Sequence, residues 1–343
     1  MNSEVNWRHI QALSNWIFSD YSTEYLSHSL VEEISKSLPV EYGFHSWIAQ
    51  AYINNEIPFD HWPNEVAKAY AHNQWHTGSL LSESILLSES LNRYSIEHTF
   101  LKGIWMAQEV LPDTKLRYFD DVDLWISPRN YKLIDEVMSE NEFTKVDYFH
   151  HYFHFHKTFK KNLSHTSVYI EVHKAPSLDD FYKFDHQKVW QDAHRESNTA
   201  LIQLKPAHQL VYFFCHNSLH SFDRLSRFMD LPAVYNWAYK KGFEFSEILE
   251  ITSKWNCRRL FLYSLVALET LLNQDLGSSH FDGKDVLAAK EQFGLWFHAF
   301  INNANSSHSR RRYSLSDTKA RALYGFVHPR RIMGSLIDRL GIY

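Results

Sequence analysis

Two aspartates separated by one residue inside an apolar run constrain this chain more than any other feature. Asp121 and Asp123 flank Val122, and the apolar run continues through residues 124–126. This alternation predicts a β-strand. In a strand, residues i and i+2 share one face and lie about 7 Å apart along the chain. We therefore expect both carboxylates to point to the same side of a sheet.

Two carboxylates placed side by side favour a divalent cation. They repel each other, and the pKa of one of them rises unless a cation bridges them. Mg²⁺ prefers oxygen ligands and commonly takes one or two protein carboxylates together with substrate phosphates. Glu171 lies in a second β-prone run, residues 168–173, and is predicted to complete a two-metal site with Asp121 and Asp123. Such a donor set favours phosphoryl or nucleotidyl transfer.

A short apolar segment upstream ends abruptly at a glycine. Residues 98–101 are predicted to form a strand, Lys102 and Gly103 follow, and residues 104–110 are predicted to form a helix. Glycine lets a backbone approach a ligand, and the free amides at a helix start favour a phosphate. An ordinary strand-to-helix turn explains the same pattern equally well. Lys102 either neutralises a triphosphate or is simply solvated.

Arg117 precedes the acidic strand. Its guanidinium holds a phosphate, bridges to the acidic strand or forms an ion pair with Asp120, and the sequence does not separate these alternatives. Ser127 and Pro128 follow the acidic strand and are predicted to cap and start a helix. Residues 162–166 are predicted to form the turn of a hairpin that delivers Glu171.

A histidine-rich segment precedes this hairpin turn. His150, His154 and His156 share one face if residues 147–160 are extended. Closely spaced histidines are typical of zinc sites, but tetrahedral zinc ligands converge from separate elements and no cysteine lies nearby. Contact with the nucleotide or the acceptor is the preferred functional interpretation. An ordinary sheet strand explains each histidine as well.

Apolar residues recur at helical spacing on both sides of this region, in residues 1–95 and again from residue 201. Residues 67–91 are predicted to form a long amphipathic helix. Its apolar stripe is expected to comprise Leu80, Leu81, Ile85, Leu86 and Leu91. Downstream, helices are predicted over residues 207–219, 224–240, 245–254 and 258–272.

The composition bears on the cellular location and the partners of the protein. The two cysteines, Cys215 and Cys257, fit a reducing cytoplasm, and neither a secretory signal nor a membrane-spanning apolar run is visible. The net charge of −5 gives no reason to expect nucleic-acid binding. A basic segment, residues 310–339, either is a solvated face or gathers an anionic acceptor.

The ordered set of motifs resembles a known family. Leu101-Lys102-Gly103, Leu116-Arg117, Asp121-Val122-Asp123-Leu124 and Ile170-Glu171-Val172-His173 follow one another as in the bacterial uncharacterised nucleotidyltransferases. That family belongs to the DNA-polymerase-β-like nucleotidyltransferase superfamily. Further matches in the helical stretch that follows are Pro206, His216, His220 and Asp230-Leu231. The resemblance spans about the middle two thirds of the chain. Asp120 departs from it, because the family more often has a small residue there.

The resemblance implies an α+β fold. A small mixed sheet with helices, the polymerase-β-like core, is expected over residues 96–200. An N-terminal helical region, residues 1–95, and a C-terminal helical region, residues 201–343, are expected to flank it. A cleft between the core and the C-terminal helices is the hypothesis for the acceptor site. His216 and His220 are expected to line one wall, with His154 or His156 opposite.

The resemblance also implies a mechanism. Asp121 and Asp123 hold Mg²⁺ on the triphosphate of an NTP such as ATP, and Glu171 completes the second metal site. The nucleotide is expected to contact Lys102, Gly103, Arg117 and His173. An NMP group then passes to a hydroxyl acceptor, for which a small molecule or peptide is favoured.

Two rival interpretations stay open. The first is a metal-dependent phosphotransferase that uses the same acids on a γ-phosphate. The second is a catalytically inactive nucleotidyltransferase-like binding protein. The presence of all three acids disfavours the second, because the loss of any one of them is what an inactive relative would show.

Overall fold

The computed structural model describes residues 7–22, 24–37, 42–114, 117–146, 156–175, 184–195, 199–219 and 225–304. Four helices precede the sheet in these residues, as the helical spacing predicts. They are α1 (Trp7–Phe18), α2 (His28–Ser37), α3 (Tyr42–Asn54) and α4 (Asn64–Arg93). A short 3₁₀ turn, Phe59–His61, lies between α3 and α4.

The buried face of α4 differs in part from the predicted stripe. Leu80, Leu81 and Leu91 are buried as expected, and Leu87 joins them. Ile85 and Leu86, which the sequence placed in the stripe, are 52% and 51% exposed. Buried positions recur every three or four residues along α4, so residues 85 and 86 fall on the opposite side of the helix.

The core of the chain is a mixed sheet with helices. Its elements are β1 (His98–Leu101), α5 (Lys102–Glu109), β2 (Val122–Ile126), α6 (Ile134–Glu140), β3 (Thr144–Val146), β4 (His156–Asn162) and β5 (Ser167–His173). The five strands lie in the order β1-β2-β5-β4-β3. Strands β2 and β5 are parallel, and the other neighbours are antiparallel. The predicted α+β architecture is confirmed.

The strand alternation gives the sheet two different faces. Val122, Leu124 and Ile126 of β2 pack with Ile170 and Val172 of β5 in one apolar cluster, to which α4, α5 and α6 also contribute. Asp123 and Glu171 lie between these residues in the strands and therefore point to the opposite face. Trp125 shares this second face and belongs to a separate apolar cluster with the N- and C-terminal helices.

The described chain after β5 is again mainly helical. Its elements are α7 (His186–Asp192), β6 (His194–Arg195), β7 (Ile202–Gln203), α8 (Pro206–Leu219), α9 (Leu225–Lys240), α10 (Phe245–Lys254), α11 (Arg258–Leu272) and α12 (Gly283–Ala304). The four helices predicted between residues 207 and 272 are confirmed. Among the described residues, none of the helices has the length and apolar character needed to cross a membrane.

The segment after β2 differs from the prediction, whereas the hairpin turn after β4 agrees with it. The helix expected to begin at Ser127 is instead a 3₁₀ turn, Pro128–Asn130, followed by the separate helix α6. Ser127 makes no side-chain cap; its carbonyl closes the turn by accepting from the amide of Asn130. The predicted hairpin turn before β5 is confirmed, since the amide of Leu163 donates to the carbonyl of Thr166.

Candidate active site

The acidic residues of β2 and β5 meet across the one parallel strand pair of the described sheet. The backbone register places Asp123 directly beside Glu171. Residues paired in this way point to the same face, so the two carboxylates are neighbours. The sequence predicted both strands and both acids, but only the sheet register sets them side by side.

Lys102 reaches the same point from β1. Leu101, the last residue of β1, pairs with Asp123 across the antiparallel β1–β2 ladder. Lys102 follows with a φ of 50°, a left-handed conformation that is uncommon outside glycine. Its Nζ lies 2.6 Å from Oδ1 of Asp123. Lys102 is therefore not simply solvated but forms an ion pair within the acidic site. Its contact with a triphosphate stays a prediction.

His173 contacts the same carboxylate from β5. Its Nε2 donates to Oδ1 of Asp123 at 2.8 Å and lies 3.8 Å from Oε2 of Glu171. Burial lowers the pKa of His173, and the attraction of Asp123 offsets only part of this effect. The imidazole is therefore neutral at neutral pH, and its Nε2–H holds Asp123 in place. The spacing of Glu171 and His173 puts both on one strand face, but nothing in the sequence pairs His173 with Asp123.

The two neighbouring carboxylates have opposite protonation tendencies. Burial alone would raise the pKa of Asp123, but Lys102 and His173 outweigh it and hold that pKa well below its usual range. Burial and the charges of Asp123 and Asp121 raise the pKa of Glu171 to about 8, against a smaller opposing effect of Lys102. For Lys102, burial lowers the pKa, but the surrounding carboxylates outweigh burial and raise it.

Three of these residues form a compact set of metal-ligand atoms. One ligand atom each from Asp123, Glu171 and His173 lies within 4.8 Å of the others, in a search of the described residues. Asp121 lies one residue before β2, is half-buried and acts electrostatically on Lys102 and Glu171. It is not part of this set of three. Its assignment as a metal ligand stays a prediction.

Packing gives a direct reason for the glycine after Lys102. A Cβ added at Gly103 would lie 2.7 Å from Cγ of Phe119, closer than real Cβ atoms approach their neighbours. Phe119 belongs to the segment that leads into β2. Gly103 therefore lets the start of α5 lie against this segment, whatever its amide contributes to ligand binding.

Arg117 connects the segment before β2 to the C-terminal helices. Its Nε and Nη2 donate to Oδ1 and Oδ2 of Asp230 on α9, at 2.9 and 2.6 Å. Asp230 is fully buried and Arg117 is 13% exposed. Asp120, the partner considered from sequence, accepts a hydrogen bond from the hydroxyl of Tyr118 at 2.6 Å. The bidentate pair fixes the position of the segment that carries Asp121.

Two further residues interact with the acids, although the sequence did not connect them with these acids. His156, at the start of β4, has Nε2 3.7 Å from Oε1 of Glu171, and its ring is 5.1 Å from that of His173. Tyr212 of α8 is buried, and Asp123, Glu171 and Asp121 all act electrostatically on its hydroxyl. The histidine-rich pattern pointed to His156. No sequence signal pointed to Tyr212.

Several predicted positions lie outside the described residues: His150, His154, His220, Leu116 and residues 310–339. His216 is described. It lies on α8, half-buried, with its ring 6.0 Å from that of Tyr212.

Neighbouring acids on two strands of a mixed sheet, flanked by helices, define a nucleotidyltransferase-like core. The chain belongs to the family described as uncharacterised nucleotidyltransferases, whose model matches residues 46–273, more than half of the chain. The resemblance seen in the motifs is thereby confirmed. A search of curated proteins and a search of solved structures each find no match to this chain.

Proposed function

We propose that this protein transfers an NMP group from an NTP, ATP among the candidates, to a hydroxyl of a small-molecule or peptide acceptor, with Mg²⁺ in the acidic site. The observation that carries the proposal is the cross-strand pairing of Asp123 with Glu171, with Lys102 at the same carboxylate. The family supplies the reaction class. Membership in a fold alone does not choose the acceptor.

The donor set fits Mg²⁺. Asp123 and Glu171 each provide a hard oxygen ligand, and these oxygens lie within 4.8 Å of each other. Mg²⁺ commonly takes one or two carboxylates from a protein, together with substrate phosphates. Asp121 is the proposed third carboxylate of a two-metal site. When bound, the ions would neutralise the triphosphate and lower the pKa of the acceptor hydroxyl.

The two carboxylate oxygens of Asp123 have different surroundings. Lys102 and His173 both contact Oδ1. We therefore assign Oδ2 to the cation. Because His173 is neutral and buried, it orients the carboxylate without adding a positive charge that would compete with a metal ion.

Lys102 and Glu171 are solvent-accessible residues of this acidic site, since their side chains are 22% and 27% exposed. Lys102 is the proposed contact for the triphosphate, together with the backbone at Gly103. Glu171 carries a proton at neutral pH in the free protein, because burial and the neighbouring carboxylates raise its pKa to about 8. It would have to release this proton to act as a ligand of a cation. Arg117 is the proposed further phosphate contact, held by Asp230.

The proposed acceptor site lies between the sheet face that carries the acids and helix α8. His156 borders Glu171 on the sheet side, and His216 lies one turn beyond Tyr212 on the helix side. Such a wall suits a polar small molecule or a short peptide, since a long nucleic acid needs a continuous basic track. A cytoplasmic location is proposed from the two buried free thiols.

The test follows the two ends of the triphosphate separately. The protein is incubated with Mg²⁺, a metabolite and peptide extract, and each NTP labelled at either the α- or the γ-phosphate. Transfer of the α label with release of pyrophosphate supports the proposal. Transfer of the γ label with release of a nucleoside diphosphate indicates the phosphotransferase alternative. NTP binding without transfer of either label indicates the inactive binding protein.

A further inference from the structure

Tyr212 presents a buried hydroxyl that the rest of the described protein does not use. The side chain is 1% exposed, and its hydroxyl has no hydrogen-bond partner among the described residues. A buried polar group without a partner destabilises a fold, so native structures rarely keep one without a reason. A ligand that enters a neighbouring site is one such reason.

The neighbouring site is the acidic one. The ring of Tyr212 lies 6.1 Å from that of Phe184, which lies 5.9 Å from Trp125. Trp125 follows Asp123 by two residues on β2 and shares its sheet face. This row of rings joins α8 to the face that carries the acids. Besides burial, the charges of Asp123, Glu171 and Asp121 keep the phenol protonated.

We propose that Tyr212 donates its phenolic hydrogen to a phosphate oxygen of the bound NTP, from the helical side of the site. This inference rests on the proposed function. A phenol that stays protonated is a hydrogen-bond donor toward an anion. A phosphate oxygen is the acceptor it suits, whereas an attacking hydroxyl needs a group that takes its proton.

The proposal also assigns a role to the C-terminal helices. The carboxylates on the sheet hold the cation, and Tyr212 on α8 binds the anion that the cation accompanies. NTP binding then stabilises the packing of α8 against the sheet face. Neither the sheet nor α8 alone would bind the triphosphate fully.

The experiment compares Tyr212→Phe, which removes only the hydroxyl, with Tyr235→Phe as a matched control. Tyr235 is also a buried helical tyrosine, but its hydroxyl donates to the carbonyl of Leu276 at 2.7 Å. The probes are α,β-methylene analogues of the four NTPs with Mg²⁺, and the full chain is used. Calorimetry measures the affinity of the tightest analogue, and thermal unfolding is measured without ligand.

Tyr212→Phe is expected to bind the analogue at least about 10-fold more weakly, since a hydrogen bond to a charged group is lost. Its unfolding temperature without ligand is expected to equal or exceed that of the wild type. Tyr235→Phe is expected to keep wild-type affinity and to unfold at a lower temperature.

Three results would overturn the inference. Unchanged affinity in Tyr212→Phe overturns it and leaves the proposed function standing. Weaker binding together with a lower unfolding temperature, as in the control, assigns Tyr212 a merely structural role. A wild-type protein that binds none of the analogues in the presence of Mg²⁺ overturns both the inference and the proposed function.

Discussion

Asp123 and Glu171 are direct cross-strand neighbours, yet their carboxyl groups favour opposite protonation states. Asp123 has both available partners, Lys102 and His173, at one oxygen. Glu171 has His156 and His173 only at 3.7 and 3.8 Å. Burial and the charges of Asp123 and Asp121 raise its pKa to about 8. At neutral pH the carboxyl group of Asp123 is thus ionised, whereas that of Glu171 is mostly protonated.

Asp123→Asn is expected to lower the rate of NMP transfer by at least about 100-fold, a typical effect of removing one preorganised electrostatic group. Asparagine keeps the side-chain volume and an oxygen that accepts from Lys102 and His173, so the fold is expected to persist. The measurement is product formation from α-labelled NTP, with circular dichroism and melting as checks. Asp135→Asn, which alters a more exposed pair with Lys157, is the control. Wild-type transfer by Asp123→Asn would refute the assignment.

Mg²⁺ binding at pH 7 is expected to release close to one proton from the protein. With a pKa of about 8, Glu171 is mostly protonated at pH 7 in the free protein and must ionise to bind the ion. Calorimetric titrations in buffers of different ionisation enthalpy measure the released proton. The release is expected to shrink at pH 9 and to vanish in Glu171→Gln. Heats that are independent of the buffer at pH 7 would contradict this account.

Lys102→Met is expected to increase the stabilisation that Mg²⁺ gives. Lys102 neutralises the acidic site of the free protein, and without it the remaining negative charges repel one another until a cation binds. The difference in melting temperature with and without Mg²⁺ should therefore exceed that of the wild type. Lys157→Met removes a lysine of β4 that forms an ion pair with Asp135 of α6, and it should keep the wild-type difference. Equal Mg²⁺ shifts in all three proteins would show that Lys102 does not act as this counter-ion.

Arg117→Met is expected to lower the free energy of unfolding by about 3–5 kcal/mol, since it leaves Asp230 buried without its charge partner. The double variant Arg117→Met, Asp230→Leu should recover part of the loss, because it removes both charges. Denaturant unfolding measures these values. NTP affinity of the double variant then reports whether Arg117 also contacts phosphate. A single variant as stable as the wild type would mean that the pair contributes little.

His98 is expected to make the protein sensitive to acid. It is buried on β1, with Nδ1 bonded to the carbonyl of Ile96 and Nε2 bonded to the hydroxyl of Ser88. Burial lowers its pKa to about 4 from an ordinary 6.5. Between these values the unfolded chain binds more protons, so the free energy of unfolding falls as pH decreases, by up to about 3 kcal/mol.

The comparison with His98→Gln isolates this effect from that of Glu171, which acts in the opposite direction. The folded pKa of Glu171 lies above its ordinary 4.5, so its contribution to stability falls as pH rises toward 8. Unfolding by denaturant is measured at several pH values between about 4.5 and 7. In His98→Gln the free energy of unfolding should decrease more with rising pH than in the wild type, because the rising contribution of His98 is removed and the falling contribution of Glu171 remains. Equal slopes would exclude His98 as the source.

Local pattern was enough to predict much of the scaffold. Alternation of apolar residues predicted β2 and the strand that carries Glu171, and helical spacing predicted α8 to α11. These elements follow local periodicity, because the period of apolar residues matches the geometry of the element that buries them. Where local pattern was ambiguous, prediction erred. Ile85 and Leu86 are apolar but exposed, and Ser127 has the residue type of a cap without making one.

The sequence by itself determined which acids the strands carry, the family, and the α+β class. Only the tertiary structure decided what each acid touches. The sheet register placed Asp123 beside Glu171, a backbone turn at Lys102 brought an ammonium to Asp123, and packing of α9 gave Arg117 its partner Asp230. The physical reason is distance along the chain. The partners in these three contacts are separated along the chain by 21, 48 and 113 positions. Such contacts depend on how whole elements pack, which no local spacing records.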